Sequence, residues 1–126
     1  MPKFGIDNLL KEAQILDVAE HVLSLSGKSK DAAAVGRGAA IFKEQCIACH
    51  GPDGKGVVEQ GGPNLTDNIW LYGGDLATLT ETIRNGRNGM MPAQAPLIGA
   101  ERARLAAAWV LSQSQGTPPT QAGGTP

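Results

Sequence analysis

The sequence predicts an all-α fold, and three observations support this class. Aromatic residues make up only 4% of the 126 residues, and the runs of Val and Ile that β-sheets favour are nearly absent. Ala-rich stretches favour helices. Apolar residues also recur at helical spacing in segments that are separated by Gly-rich loops. We therefore expect a small helical domain with a compact core of about 80 residues.

The first predicted helix covers residues 8 to 25 and ends at Gly27. Charged residues lie between its apolar positions, which are Leu9, Ala13, Leu16, Ala19 and Leu23. His21 is expected on the surface of this helix. The helix ends in the letters HVLSLS, and a similar ending, WVLSQS, occurs at residues 109 to 114. The chain therefore contains two copies of one helix ending.

A second helix is predicted from about residue 33 to residue 45, after the polar linker SGKSKD. It contains Gly36 and Gly38, which lower its intrinsic helix propensity. Five glycines and two prolines between residues 51 and 63 then leave no room for a regular element. This stretch is predicted to be an extended loop.

The third helix has a clear start at Asp75, which is a good N-cap, and a clear stop at Gly86. Its apolar face consists of Leu76, Leu79 and Ile83. The last helix covers roughly residues 100 to 112, with Leu105, Ala108 and Trp109 on one stripe. Residues 115–126 have the composition of a disordered tail.

Charge and hydropathy argue against two kinds of partner. The formal net charge is −1, whereas a nucleic-acid-binding domain usually carries a basic stripe. The chain has no run of about 18 apolar residues, the length that a membrane-spanning helix requires. We therefore expect no nucleic-acid partner and no direct membrane insertion by this chain.

The chemistry of the sequence is concentrated in the letters CIACH, residues 46 to 50. Cys46 and Cys49 can each add to one vinyl group of a haem, and His50 can supply an imidazole nitrogen to the iron. Cysteines three residues apart lie on the same side of a helical turn. The motif predicts one covalently bound haem c.

Three other interpretations of the same residues are weaker. A zinc site formed by Cys46, Cys49, His50 and His21 does not have the ligand spacing of a zinc finger, and His21 lies on a separate predicted helix. A thioredoxin-like dithiol would be expected within a βαβ pattern, which the sequence lacks. A disulfide between the two cysteines would leave the adjacent His50 without a role.

A sixth iron ligand is expected if the haem is present. Met90 and Met91 stand immediately before Pro92 in a Gly-rich loop downstream of His50. A thioether from such a loop would close the far face of the haem, and a Met/His ligand pair raises its reduction potential. The alternative is that these methionines only fill gaps in the core.

At this point the residues resemble a known family. The letters GAAIFKEQCIACHG are similar to the start of a class I cytochrome c domain, in which Gly38 and Phe42 lie on a first helix that crosses a last helix with an aromatic such as Trp109. The letters GGPNLTDNIWLYGG and TIRNGRNGMMP resemble the second haem domain of the di-haem subunit III of cbb-type cytochrome c oxidases. The likeness covers residues 34 to 114.

The resemblance implies a class I cytochrome c fold, a small helical domain wrapped around one haem c. Carried onto this sequence, it makes His50 the proximal ligand and Met91, directly before the proline, the distal ligand. Met90 departs from the family pattern and could compete. The Pro63 carbonyl would accept the proton of the other His50 nitrogen. Side chains expected near the haem propionates are Trp70, Tyr72 and Arg84.

The resemblance also implies a division of the chain. Residues 1–27 would be the C-terminal helical remnant of a preceding haem domain, with Met1 at the position of that domain's axial methionine, either as an orphaned ligand or as a start codon. Residues 28–33 would be a linker, 34–114 the cytochrome c domain and 115–126 the tail. Such a chain would be an excised piece.

The implied function is electron transfer and not catalysis. Electrons would enter from an upstream haem domain or a soluble cytochrome c and leave toward the haem-copper subunit of the oxidase. Covalent haem attachment implies the periplasmic side of a bacterial inner membrane. The alternatives are a free periplasmic shuttle, the cytochrome module of a dehydrogenase, and a gas-binding haem sensor or peroxidase-like enzyme.

Overall fold

The computed structural model describes residues 1–115, and the regular elements among them are helices. The helices are α1 (Glu12–Ser24), α2 (Ala32–Gln45), α3 (Ile47–His50), α4 (Leu76–Asn85), α5 (Ala95–Ile98) and α6 (Ala100–Gln115), with a short 3-10 helix at Val58–Gln60. Among the described residues the only β-type pairing is one isolated bridge between Val57 and Gly62. The predicted all-α class is therefore confirmed, and the predicted tail lies outside the described residues except for Gln115.

The chain divides into two compact units, residues 1–88 and residues 89–126. In the first unit, α1 packs against both α2 and α4. In the second unit, α5 packs against α6. Residues 1–27 lie in the same compact unit as α2 to α4, and the predicted division into a remnant, a linker and a cytochrome c domain stays a prediction.

The core of the first unit is small. Only Ile15 and Val18 are large side chains buried almost completely. The other members of the buried apolar cluster are Phe4, Leu10, Ala19, Val22, Leu23, Phe42, Leu65, Leu79 and Ile83. Five of these nine come from the first 27 residues, so this segment supplies much of the core.

Helix α1 is shorter than predicted, and the residues that it buries in the core are not all the predicted ones. Asn8 has a φ of 54°, and the amides of Leu9 and Leu10 donate to the Phe4 carbonyl. Because of this turn, the helix begins at Glu12 and not at residue 8. Leu9 and Leu16 are exposed, while the buried apolar positions of the helix are Ile15, Val18, Ala19, Val22 and Leu23. The buried apolar residues differ from the predicted ones because this helical segment carries apolar residues on more than one side.

The closest approach between helices is at Gly38 in α2. A Cβ atom added to Gly38 would lie 2.0 Å from the Asp17 carbonyl oxygen and 2.9 Å from His21 Cβ. The His21 ring packs on Phe42, with ring centroids 5.0 Å apart. Within the first unit, the helix that packs on α2 at Gly38 and Phe42 is α1.

His21 is half-buried, whereas the sequence predicted a histidine on the helix surface. Its Nδ1 atom is buried and has no hydrogen-bond partner. Burial lowers the pKa of the imidazole, because desolvation disfavours the charged form. The ring accordingly behaves as a packing group against Phe42.

Two ion pairs tie α1 to its neighbours. Arg37 in α2 donates to both carboxylate oxygens of Asp17, from Nε at 2.8 Å and from Nη2 at 2.6 Å. Arg84 in α4 pairs with Glu12 at 2.6 Å. These contacts allow Asp17 to lie buried on the inner side of the helix.

Helices α2 and α4 begin where the sequence predicts, each at an aspartate cap. The Asp31 carboxylate accepts from the Ala34 amide at 2.9 Å, and the Asp75 carboxylate accepts from the Thr78 amide at 3.0 Å. The Thr78 hydrogen bonds lower the pKa of Asp75, because they stabilise its charged form. Helix α4 ends at Asn85, with Gly86 as its C-cap at φ 67°.

Candidate haem-binding site

The predicted haem-attachment residues lie on the short helix α3, which follows α2 directly. The Cys46 amide donates to Phe42, and the His50 amide donates to the Cys46 carbonyl at 3.0 Å. Gly51, at φ 75°, then ends the turn. The turn therefore presents both cysteines and the histidine from one short, hydrogen-bonded segment.

The two cysteines are free thiols with different surroundings. Cys46 is partly buried against the core, whereas Cys49 is exposed. Burial raises the pKa of the Cys46 thiol to about 11, and the neighbouring Cys49 adds to this rise. At neutral pH the Cys46 thiol is therefore protonated.

The loop after α3 holds the histidine ring in one orientation. The Pro63 carbonyl oxygen lies 3.0 Å from His50 Nδ1, the contact that the resemblance implies for these two residues. With Nδ1 engaged in this way, the ring leaves Nε2 as the nitrogen that can bind a metal. Such a bond to a ligating histidine fixes its tautomer and raises its basicity.

The loop is anchored on α3 by backbone hydrogen bonds. The Gly56 amide donates to the His50 carbonyl at 2.7 Å, and the Val57 amide donates to the Cys49 carbonyl at 3.0 Å. At Gly62 the loop backbone approaches so closely that a Cβ atom would lie 1.8 Å from the Cys49 carbonyl oxygen. The sequence analysis did not identify Gly62 as a site residue, although the Gly-Gly pair before Pro63 was a signal.

The Gly62 contact leads to a prediction. Gly62→Ala is expected to destabilise the domain by about 1–3 kcal/mol, since the added methyl group must push the loop off α3, and to lower the fraction of protein that carries haem. Gly61→Ala is the matched control. A Cβ atom added at Gly61 meets nothing within 4 Å, and the only cost of this substitution is backbone strain at the residue's φ of 67°. Equal haem content in the two variants would contradict the proposed role of this contact.

The predicted propionate-side residues have varied surroundings. Trp70 packs against Gly74, where a Cβ atom would lie 2.6 Å from the indole ring, and its Nε1 is buried without a hydrogen-bond partner. The Tyr72 ring is half exposed and stacks under the Arg87 guanidinium at 4.1 Å. Arg84 is engaged by Glu12, so its partner in this structure is a carboxylate of α1.

Met90 and Met91 belong to the second unit and are 91% and 81% exposed. They are therefore not core residues, which removes the gap-filling interpretation for both of them. Their assignment as distal ligands stays a prediction.

The residues fit a haem better than the other candidates. Among the described residues, no group of three or more His, Cys, Asp and Glu side chains is placed to hold a metal ion. The same residues contain no βαβ unit around the cysteines, which argues against a thioredoxin-like dithiol. A histidine oriented by a carbonyl and the orphaned indole N–H of Trp70 are both suited to a bound metalloporphyrin with carboxylate side chains.

Comparison with known proteins decides the family. The model of the family described as cytochrome c oxidase, cbb3-type, subunit III matches residues 33–110. The chain belongs to this family. Because this family is a family of cytochrome c subunits, the chain's membership of it implies haem c as the cofactor.

Individual relatives agree with this assignment. The chain is 56% identical over 92 residues to the cbb3-type cytochrome c oxidase subunit CcoP of Cereibacter sphaeroides, which covers 73% of the chain and 32% of that protein. Subunit FixP of Bradyrhizobium sp. strain ORS 278 is 59% identical over 97 residues, which cover 74% of the chain and 32% of FixP. Subunit CcoP of Rhodobacter capsulatus is 49% identical over 110 residues, or 87% and 37%.

The chain spans about a third of the length of these curated relatives. Among its described residues, no helix combines the length and the apolar character needed to cross a membrane.

Proposed function

We propose that this chain carries single electrons within a cbb3-type oxidase, as the domain that binds one haem c covalently through Cys46 and Cys49. The observation that carries the proposal is the bond between His50 Nδ1 and the Pro63 carbonyl at 3.0 Å. It prepares His50 as a permanent iron ligand, because a ring held in one tautomer keeps the same nitrogen directed at the metal. When bound, the haem takes up and releases one electron.

Each proposed residue has a distinct task. Cys46 and Cys49 would hold the haem covalently, and His50 and Met91 would supply the two protein ligands of its iron, which would leave no position for an external ligand. The indole N–H of Trp70, a buried donor without a partner, would donate to a haem carboxylate.

The proposed partners follow from membership of the family. The electron donor is an upstream haem domain or a soluble cytochrome c, and the acceptor is the haem-bearing catalytic part of the oxidase, on the periplasmic side of a bacterial inner membrane. Interfaces of this kind are small and short-lived. A net charge of −1 fits encounters guided by a local patch and not by the overall charge.

Carbon monoxide binding separates this function from gas sensing and peroxidase-like catalysis. The reduced haem-loaded protein at neutral pH is expected to keep its absorption spectrum under carbon monoxide and to pass through one reversible one-electron step in a redox titration. The reason is that two protein ligands leave the iron no open position. Rapid carbon monoxide binding to the parent protein would contradict the proposal.

A further inference from the structure

Trp70 borders an open cavity of about 550 Å³ in the first unit. Leu23 and Leu76 form the apolar part of its wall. The charged side chains that line the cavity are Glu20, Lys28, Lys30 and Asp75. Because the two acids and the two lysines cancel in charge, the type of ligand that fits depends on which of these groups still lacks a partner.

Both carboxylates of the lining already accept hydrogen bonds. Glu20 accepts from the Ser29 hydroxyl. Asp75 accepts from the Thr78 amide at 3.0 Å and from the Thr78 hydroxyl at 2.7 Å. The acids of the cavity are therefore satisfied within the domain, and they do not call for a cationic ligand.

Two donors of the lining lack an acceptor. Trp70 Nε1 is buried without a hydrogen-bond partner, and a Cβ atom added to Gly74, which also borders the cavity, would lie 2.7 Å from it. Lys28 donates to Asn68 Oδ1 at 2.8 Å, whereas no described residue pairs with the Lys30 ammonium. The cavity thus combines an N–H group and a positive charge that both lack an acceptor in the protein, and a carboxylate satisfies both.

We propose that Lys30 is the cation that pairs with the haem carboxylate to which Trp70 donates. The inference rests on the proposed function, because it needs the covalently bound haem. Arg84, the cation that the resemblance implied for this role, is already held by Glu12 through hydrogen bonds of 2.6 and 2.9 Å. Lys30 precedes the residues that the family model matches, 33–110, and lies in the segment that the sequence predicted to be only a linker.

A cation at a haem carboxylate affects the affinity of the iron for an electron. Lys30 would partly neutralise the carboxylate, and a less negative surrounding favours the reduced iron, which carries one positive charge fewer than the oxidised iron. Lys30 is exposed, so water and salt screen its charge and the effect is moderate. The segment before α2 thereby sets part of the reduction potential.

Redox titration of the haem-loaded chain at neutral pH and low salt tests the inference. Lys30→Gln should shift the equilibrium between the two redox states about three- to fivefold toward the oxidised form, because it removes the pairing charge. Lys30→Arg keeps the charge and should retain the parent potential. Lys28→Gln is the matched control, since it makes the same charge change at a lysine of the same cavity whose ammonium is bonded to Asn68. This control should shift the equilibrium by less than about twofold.

Trp70→Phe shows whether both groups hold one carboxylate. This variant keeps an aromatic ring in the wall of the cavity and removes the indole N–H. In its background Lys30→Gln should shift the redox equilibrium less than in the parent, because a carboxylate released by Trp70 is no longer held at Lys30.

The outcomes separate this inference from the proposed function. Equal shifts from Lys30→Gln and Lys28→Gln, or strictly additive effects of Lys30→Gln and Trp70→Phe, would overturn the pairing. If the parent still shows a reversible one-electron step in that case, the electron-transfer function stands. Absence of such a step in the parent would overturn both.

Discussion

The double variant Cys46→Ala, Cys49→Ala is expected to be largely unfolded and free of haem. Each Cys→Ala substitution removes only one sulfur atom, and Cys49 is exposed. The direct cost of the lost packing should therefore stay below about 1.5 kcal/mol. The large effect comes from the lost cofactor. Far-ultraviolet circular dichroism and haem absorbance of the purified protein measure both losses together.

The physical reason is the size of the core. Only Ile15 and Val18 are large side chains with almost no exposure in the first unit, and a domain of this length buries too little apolar surface to be stable by a wide margin. A bound porphyrin adds apolar area next to Cys46 and Ile47, which pack against the core from the side of α3. Native-like helicity in the haem-free double variant would show that the polypeptide core suffices.

Gly38→Ala should be the most destabilising single methyl addition in α2, at about 3 kcal/mol. The added Cβ atom would lie 2.0 Å from the Asp17 carbonyl oxygen, a backbone atom that can move away only if the helix moves. The variant must therefore separate α1 from α2 and weaken the contact of His21 with Phe42. Denaturant unfolding of the haem-loaded protein measures the loss.

Gly36→Ala provides the matched comparison two residues away. A Cβ atom at Gly36 meets nothing within 4 Å, so this variant should be more stable than the parent by about 0.5–1 kcal/mol through helix propensity alone. The two substitutions are chemically identical and differ only in what the methyl group meets. Equal unfolding midpoints for the two variants would show that the crossing at Gly38 is not tight.

The parts of the fold that depend on local chemistry could be predicted from the sequence. Asp75 and Gly86 bound α4 as expected, because capping is decided by a few neighbouring residues. The buried face of α4, with Leu79 and Ile83, also follows directly from helical spacing. The contact between His50 and Pro63 was available from the family resemblance, since it depends on a short loop that returns to its own helix.

The parts that depend on a choice between similar segments could not be predicted. Periodicity alone did not reveal that Ile15 and Val18, and not Leu9 and Leu16, face the core, since both sets are compatible with a helix. Nor could periodicity reveal that α1 packs against both α2 and α4, because these contacts join segments that lie far apart in the chain. The ion pair between Asp17 and Arg37 is a long-range contact between two charged side chains with no local signal.

The absorption spectrum of the oxidised protein, recorded for the parent, Met91→Ala and Met90→Ala, tests the central claim most directly. A thioether bound to ferric haem gives a weak long-wavelength band, so the parent and Met90→Ala should show it. Met91→Ala should lose the band and, once reduced, bind carbon monoxide, because its distal position is open. A parent without the band, or a band that disappears in Met90→Ala and persists in Met91→Ala, would contradict the assignment of His50 and Met91 as the ligands of a closed electron carrier.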